Sequence, residues 1–235
     1  MIEITLSGPG KNALGTPLMQ QAIADIEAAE GAPLLVRGAG DCFSAGLNLK
    51  EVASLDALGM TTYLALLDRL IVKLLTHEAP VVACVNGHAI AGGCVIALTC
   101  DLRVVTSAEA TRIGLNEVAL GLVFPPRVLV LARTRLAPSH ATRVLLEAGL
   151  YAPSEALRLG LVHEVADDPL TRARELLETL AKSPRHAYAA TKRELNAAVL
   201  DIPQAAMDAF RDRAMPHWTS PELKARLAAV LDKGR

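Results

Sequence analysis

Residues 81–101 read VVACVNGHAIAGGCVIALTCD, and we take this stretch as the centre of the fold. The uninterrupted apolar run 81–85 predicts a buried strand, and residues 86–88 predict a tight turn. Residues 89–93 are small and are predicted to form a loop, with a helix beginning near Gly92. A helix that begins on glycine leaves backbone N–H groups free at its positive end, where a ligand oxygen can approach them. The stretch therefore predicts a site that stabilises a developing oxyanion.

Strand and helix patterns continue on both sides of this stretch. Before it we predict strands at 1–7 and 34–36, helices from 16 (with Thr16 as N-cap) and over 55–76, and an irregular functional loop at 42–49. After it we predict strands at 102–105, 111–113 and 162–165, a loop holding Glu117, and helices at 128–136, 139–147 and 154–159. Apolar strands alternating with helices indicate an α/β protein with parallel strands.

The remainder of the chain is predicted to be helical, with helices at 170–181, 184–199, 202–214 and 221–233. We therefore divide the chain into a body, residues 1–182, and a C-terminal helical region, residues 183–235. Apolar faces on the tail helices must be covered, so the tail either folds back on the body or packs on a neighbouring subunit.

Composition excludes several classes of function. The 24 basic and 25 acidic residues leave a formal charge of −1, so neither nucleic acid nor a membrane surface is expected as a partner. No apolar run reaches the ~18–20 residues that span a bilayer, and no targeting segment is evident, so we expect a cytoplasmic protein. The four cysteines lie in apolar surroundings without CxxC spacing, which predicts buried thiols and no metal site.

Three short segments combine into a candidate site. The loop 43–47 and the turn 91–93 each offer backbone that a ligand can approach closely, and Glu117 is an acid among apolar neighbours. Each segment alone also has an ordinary structural explanation, because Ala-Gly pairs are common in turns and a single glutamate is usually solvated.

The order and wording of the motifs favour a specific family. They are GAGxxFSAGLNL (38–49), PVVAxVNGxAxAGGC (80–94), CD (100–101) and IGLNEV (113–118), with NAL (12–14) upstream and AxxxAxxxGLV (152–162) downstream. Together they resemble the crotonase superfamily of enoyl-CoA hydratases and isomerases over nearly the whole chain. The resemblance implies an α/β crotonase-like (ClpP/crotonase) spiral of ββα units, with a C-terminal helical trimerisation region that builds trimers or hexamers.

The resemblance also implies the ligand and its contacts. The substrate is expected to be an acyl-CoA thioester of fatty acid metabolism, with coenzyme A as part of the substrate and no separate cofactor. By motif position, the backbone N–H groups of Leu47 and Gly92 would polarise the thioester carbonyl. The CoA adenine would lie near the backbone of Ala45. The further substrate contacts expected are Gly46, Asn48, Leu49 and Phe124.

The acid and base residues decide the reaction. Hydratases of the superfamily carry a glutamate in the first turn after the AGG motif and a second in the NE motif; here Val95 occupies the first position and Glu117 the second. One carboxylate suffices to move a proton from C2 to C4 of a 3-enoyl thioester, whereas hydration is most easily done with two. We therefore expect a Δ3,Δ2-enoyl-CoA isomerase with Glu117 as proton shuttle in an apolar pocket formed by Leu115, Val118, Leu122 and Phe124. Hydration, decarboxylation, thioester cleavage and non-catalytic acyl-CoA binding stay open as alternatives.

Other polar residues are expected to have structural roles. His88 and Ser44 are predicted to make packing or hydrogen-bond contacts, since neither has a triad partner at a recognisable spacing. Asp101 is predicted either to form a hydrogen bond or subunit contact or to be solvated. Lys192 is predicted to be a surface charge, with contact to the CoA phosphates as the alternative. An incomplete glycine motif at 38–40 does not imply a nicotinamide cofactor.

Overall fold

The computed structural model describes residues 1–233 of the chain. The strands are β1 (Ile2–Leu6), β2 (Leu34–Gly38), β3 (Cys42–Ser44), β4 (Val81–Val85), β5 (His88–Ile90), β6 (Leu102–Thr106), β7 (Ile113–Gly114) and β8 (Glu164–Ala166). The helices of the body are α1 (Pro9–Asn12), α2 (Thr16–Ala28), α3 (Leu49–Ser54), α4 (Ala57–Thr76), α5 (Gly92–Thr99), α6 (Glu117–Leu120), α7 (Pro126–Arg135), α8 (Pro138–Glu147), α9 (Pro153–Arg158) and α10 (Pro169–Leu180). The later helices are α11 (Arg185–Leu200), α12 (Gln204–Arg213), α13 (Met215–Trp218) and α14 (Pro221–Lys233).

The strands form two parallel sheets that the chain visits alternately. The larger sheet has the order β1-β2-β4-β6-β8, and the smaller has the order β3-β5-β7. Each of β2, β4 and β6 is followed by a strand of the smaller sheet and then by helical structure. This repeated strand–strand–helix unit is the ββα spiral expected from the sequence.

Strand β4 lies at the centre of the larger sheet, between β2 and β6. All five of its residues are buried, because hydrophobic clusters cover the strand on both faces. Ala83 and Val85 belong to the main core, while Val82 and Cys84 pack in a second cluster with Ala173 of α10. An uninterrupted apolar run is therefore the pattern that this position requires.

The tail helices pack against the body. Helix α11 contacts α4 and α7, and α14 contacts α3 and α6. Lys192 of α11 is buried and its Nζ donates to Asp101 Oδ2 at 3.0 Å. The expectation that Lys192 is a surface charge was wrong, because α11 docks on the body at this point and carries the ammonium group inward.

Three local predictions from the sequence also require correction. Residues 89–93 are not a loop throughout, because β5 extends through Ile90 and pairs with β3 and β7. Glu117 begins α6 instead of lying in a loop. Gly15, not Thr16, is the N-cap of α2, and the Thr16 N–H and hydroxyl both donate to the Glu51 carboxylate. The first and third corrections depend on partners that are distant in sequence, whereas α6 is a short helix with local hydrogen bonds.

All four cysteines are buried thiols, as predicted. Across residues 1–233, no helix is both long and apolar enough to cross a bilayer. The same residues contain no group of three or more side chains of the metal-binding types arranged to hold an ion.

Candidate active site

Helix α5 begins at the small-residue turn in an unusual backbone conformation. Its N-cap, Ala91, has φ 48° and ψ −121°, a conformation that residues with a Cβ rarely adopt. The Ala91 N–H donates to Gly114 O at 2.8 Å, and the Ala91 carbonyl accepts from Val95 N–H at 3.0 Å. Within residues 1–233, no protein acceptor takes the N–H of Gly92. The turn therefore presents one backbone donor at the positive end of the helix.

The loop that carries Leu47 is held by several hydrogen bonds. Ser44 Oγ donates to Asn12 O at 2.8 Å and accepts from Gly46 N–H at 3.2 Å, which confirms the structural role predicted for Ser44. The carbonyl of Gly46 accepts from Leu14 N–H at 2.7 Å. Gly46 has φ +89°, and a Cβ there would lie 2.6 Å from Ile90 O, so only glycine fits against the turn that precedes α5.

Leu47 and Gly92 lie side by side although they are distant in the sequence. A Cβ built on Gly92 would lie 3.4 Å from Leu47 N. The Leu47 N–H, like that of Gly92, has no acceptor in the part of the chain that the structure describes. The structure thus brings the two predicted donors together, and an incoming carbonyl oxygen can satisfy both.

Glu117 lines a small cavity next to these donors. The cavity has a volume of about 130 Å³. Its lining consists of Ala45, Leu47, Leu49, Ile90, Ala91, Asn116, Glu117, Leu120, Leu122 and Val230. Glu117 is the one titratable side chain among these lining residues.

Burial controls the ionisation of Glu117. Its side chain is 6% exposed, and Oε2 has no hydrogen-bond partner among residues 1–233. Desolvation raises the pKa of Glu117 to about 8, although a hydrogen bond from its own backbone N–H acts in the opposite direction. A carboxyl group with such a pKa can both accept and return a proton near neutral pH.

The other predicted contact residues are placed differently. Ala45 and Leu49 line the Glu117 cavity, whereas the Asn48 side chain caps α3 by accepting from Glu51 N–H at 3.3 Å. Phe124 lines a neighbouring apolar groove of about 1040 Å³ and does not line the Glu117 cavity. Leu122 lines both spaces.

The remaining residues predicted to make the pocket apolar do not line the Glu117 cavity. Val118 lines the neighbouring groove with Phe124. Leu115 is buried in the core.

Four lining residues were not predicted from the sequence. Ile90 and Asn116 stand within the quoted motifs, next to predicted site residues, and Leu120 ends the short helix that Glu117 begins, whereas Val230 is far from every motif. The Asn116 Oδ1 atom is buried without a partner in the described structure. Val230 belongs to α14 and closes the cavity from the C-terminal region. The apolar stripe of α14 was the available signal, although a stripe does not specify what it covers.

Two further polar residues have structural partners. His88 Nδ1 accepts from Arg112 N–H at 3.0 Å, in agreement with the hydrogen-bonding role predicted for it. Asp101 Oδ2 accepts from the Tyr188 hydroxyl and Val81 N–H, each at 2.8 Å, in addition to Lys192. Asp101 is therefore an internal hydrogen-bond acceptor and not a solvated side chain.

Similarity to known proteins agrees with this geometry. The sequence profile of the family described as "Enoyl-CoA hydratase/isomerase" matches residues 1–225. The mouse mitochondrial enoyl-CoA delta isomerase 1 is 34% identical over 161 residues, which are 68% of this chain and 56% of the mouse protein. The 2,3-dehydroadipyl-CoA hydratase of Escherichia coli is 30% identical over 188 residues, covering 78% of this chain and 72% of the hydratase.

The fold matches solved structures as well. The crystal structure of human mitochondrial delta3-delta2-enoyl-CoA isomerase superposes with a TM-score of 0.92 at 24% identity, covering 98% of this chain and 92% of the human one. This similarity shows the crotonase fold. With the profile match and the two relatives, it identifies the chain as a member of the enoyl-CoA hydratase/isomerase family of the crotonase superfamily.

Proposed function

We propose that this protein is a Δ3,Δ2-enoyl-CoA isomerase in which Glu117 moves the proton. The observation that carries the proposal is that Glu117 is the one carboxylate lining the cavity beside the free N–H groups of Leu47 and Gly92. The relatives include both an isomerase of the mouse and a hydratase of Escherichia coli, so similarity does not choose between the two reactions. We choose isomerisation because the site has one carboxylate.

The proposed reaction begins at C2 of a 3-enoyl thioester. The Glu117 carboxylate removes a proton from C2. The electron pair of that C–H bond forms the C1–C2 double bond of a dienolate, and the carbonyl π electrons move onto the thioester oxygen. The negative charge resides largely on the thioester oxygen, which accepts hydrogen bonds from Leu47 N–H and Gly92 N–H. The C3–C4 π electrons then take the same proton from Glu117 at C4, the C1–C2 electron pair becomes the C2–C3 double bond, and the carbonyl is restored while Glu117 becomes a carboxylate again. The product is the 2-enoyl thioester, and no external acid, base or oxidant is needed.

The cavity lining favours this sequence of proton transfers. Apolar side chains surround Glu117, so water is kept away from the dienolate and the proton is retained for C4. In the proposed complex, the backbone at Ala45 and Gly46 contacts CoA, and Leu49 contacts the acyl group. Asn48 and Phe124 stay predicted contacts. Coenzyme A enters as part of the substrate, and the proposed chemistry uses no separate cofactor.

The test is the rate of isomerisation of a 3-enoyl-CoA by the variant Glu117→Gln. We expect kcat to fall by about 10³-fold or more, because the amide keeps the size of the side chain but cannot accept the C2 proton. Glu178→Gln, on the exposed side of α10, is the matched control and should retain the wild-type rate. Wild-type turnover by Glu117→Gln would eliminate Glu117 as the shuttle. A wild type without any thioester turnover would favour the alternative of a non-catalytic acyl-CoA-binding protein.

A second experiment separates isomerisation from hydration. Val95 is 1% exposed in the first turn of α5, at the position where the family resemblance places the additional glutamate of hydratases. We expect Val95→Glu to gain measurable hydration of a 2-enoyl-CoA, while the isosteric control Val95→Gln gains none. Circular dichroism of both variants establishes whether the buried polar side chain is tolerated. Rapid hydration by the wild type would contradict the single-carboxylate argument and support the hydratase alternative.

We further propose that the protein assembles as a trimer or as a hexamer made of two trimers, as the family resemblance implies. Exposed leucines in the helical regions, including Leu146 and Leu195, support a surface that is covered in an assembly. Light scattering coupled to size-exclusion chromatography should give three or six times the chain mass of 24.8 kDa. A monomeric mass at micromolar concentration would contradict this assembly.

A further inference from the structure

The loop 46–48 contacts the chain around Leu14 through an incomplete parallel ladder. Leu14 and Leu47 are bridge partners in parallel orientation. Such a bridge uses two backbone hydrogen bonds, here from Leu14 N–H to Gly46 O and from Asn48 N–H to Leu14 O. The first is present at 2.7 Å. The second does not reach good hydrogen-bond geometry, and the Asn48 N–H donates to a side chain instead.

That side chain is Tyr63 of α4. Its hydroxyl donates to Leu14 O and accepts from Asn48 N–H at 3.2 Å. The direction of the relay is unambiguous, because a carbonyl can only accept and an amide N–H can only donate. The ring is 2% exposed, and burial raises the pKa of the Tyr63 hydroxyl, so the proton needed by the relay stays in place.

The bond from Leu14 and the Tyr63 relay each hold one of the two peptide groups that flank Leu47. The first contains Gly46 C=O and Leu47 N–H, and it is held by the bond from Leu14. Because this peptide is planar and trans, fixing its carbonyl also fixes the direction of the Leu47 N–H, whose nitrogen lies beside Gly92. The second peptide contains Leu47 C=O and Asn48 N–H, and the Tyr63 hydroxyl holds it. The backbone of Leu47 is thus fixed on both sides.

We propose that Tyr63 is a positioning residue that holds the Leu47 N–H in the orientation required to bind the thioester oxygen. The inference rests on the proposed function, since it assumes that Leu47 is a donor to that oxygen. Tyr63 does not line the Glu117 cavity, so it acts only through the loop. Without the hydroxyl, Leu14 O and Asn48 N–H lose their common partner. A closer direct hydrogen bond between these two groups would then move the second peptide, and Leu47 would move with it.

The experiment compares the wild type with Tyr63→Phe, which removes one oxygen atom and keeps the packed ring. We expect kcat for 3-enoyl-CoA isomerisation to fall about 10- to 100-fold, the size of effect caused by a small misplacement of a catalytic group. KM should change little, and the pH midpoint due to Glu117 should stay the same. Incorporation of 3-fluorotyrosine at position 63 restores a hydroxyl and should restore kcat.

Tyr188→Phe is the matched control, since it also removes a hydroxyl that donates a hydrogen bond, but to Asp101 at the far end of α5. It should lower stability without lowering kcat. A fall in kcat for Tyr188→Phe equal to that for Tyr63→Phe would show a general loss of packing and would overturn the positioning role.

A spectroscopic readout does not require turnover. Infrared difference spectroscopy of a saturated acyl-CoA labelled with ¹³C at the thioester carbonyl measures the C=O stretching frequency. This frequency should be lower in the complex with the wild type than in free solution, and the decrease should be smaller in the complex with Tyr63→Phe. An equal lowering in both proteins, with equal kcat, would overturn the role of Tyr63 and leave the proposed function standing. No lowering in the wild type would overturn the donor pair of the proposed function and the role of Tyr63 together.

Discussion

Glu117 carries an unpaired carboxylate oxygen in an apolar cavity, and such a group destabilises a fold unless it has a use or remains protonated. Burial favours the protonated form and raises the pKa of Glu117 to about 8. The proposed base is therefore only partly ionised at neutral pH. This property makes the assignment of Glu117 testable by pH.

The kcat/KM for isomerisation should rise with pH through the pKa of Glu117 in the free enzyme. Below about pH 8 the rate should fall about tenfold for each unit of pH, because only the carboxylate can accept the C2 proton. A pH series of initial rates at low substrate concentration checks this expectation. A profile that stays flat from pH 6 to about 9 would contradict either the raised pKa or the role of Glu117.

The same pKa predicts how stability depends on pH. The folded pKa of about 8 lies above the ordinary value of 4.5, so the folded protein binds a proton that the unfolded chain releases between these values. The free energy of unfolding of the wild type, relative to Glu117→Gln, should therefore decrease by up to about 1.4 kcal/mol per pH unit as pH rises through this window. Urea unfolding of both proteins at several pH values measures the difference. A constant difference between the two proteins would show that the pKa of Glu117 is not shifted.

At the scale of the element, α5 has different partners at its two ends. Its N-terminus offers the Gly92 N–H, whereas the buried Arg103 and the half-buried Arg135 donate to carbonyls near its C-terminus. Arg135 Nε donates to Leu98 O at 3.0 Å, and an Arg103 guanidinium nitrogen donates to Cys100 O at 3.1 Å. Cations at the C-terminus of a helix complement its dipole and satisfy carbonyls that lack intrahelical partners. Every residue of α5 is buried, so water does not reach the carbonyls at its C-terminal end. The two arginines provide hydrogen bonds to the carbonyls of Leu98 and Cys100 instead.

Gly92→Ala tests the N-terminal end of α5. The added Cβ would lie 3.1 Å from Leu14 Cδ1 and from Leu47 Cδ2, which small side-chain shifts can accommodate, and 3.4 Å from Leu47 N. The methyl group would thus lie beside the Leu47 N–H, at the place where the two donors are close together. We expect a folded protein with kcat lowered by about 10²-fold, comparable to the loss of one oxyanion donor.

Gly8→Ala is the matched control for this variant. Its Cβ would also lie 3.1 Å from a leucine methyl group, Leu18 Cδ1, and its backbone is extended. It should retain the wild-type kcat in the same isomerisation assay. Equal activity of Gly92→Ala and the wild type would contradict the expectation that a methyl group here disturbs the binding of the thioester oxygen.

For the whole molecule, the main question is how the C-terminal helices are attached to the body. The cluster of Asp101, Tyr188 and Lys192 joins the end of α5 to α11, and Lys192 Nζ also lies 3.3 Å from Ala79 O. Desolvation lowers the pKa of Lys192, although Asp101 acts against this shift. Each charge of the Asp101–Lys192 ion pair is therefore stabilised by the other.

Removing either member of this pair should destabilise the fold by about 3–5 kcal/mol, because the other charge stays buried without its partner. We expect the double variant Asp101→Asn/Lys192→Met to lose clearly less than the sum of the two single variants. Urea unfolding of the four proteins gives the coupling energy. Additive losses would show that the ion pair contributes no specific coupling between α11 and the body.

The sequence by itself determined the local features of this protein. Such features depend on neighbours within a few residues, so the sequence pattern was sufficient to predict them. They are the apolar run of β4, the glycines that begin α5, and the proline and aspartate residues at helix starts. The candidate residues Leu47, Gly92 and Glu117 were identified through the family resemblance that the motifs and their order carry.

The tertiary structure alone decided how these residues act together. Three contacts join segments that are distant in the chain. They are the contact of Leu47 with Gly92, the position of Val230 beside Glu117 in one cavity, and the ion pair of Lys192 with Asp101. The Tyr63 hydroxyl contacts Leu14 across 49 positions, and no local pattern indicates this contact. The pKa of Glu117 also belongs to this group, because burial by several elements, and not the residue type, raises it. Local conformation depends on neighbours in the chain, whereas desolvation and the meeting of two donors depend on the packing of the whole fold.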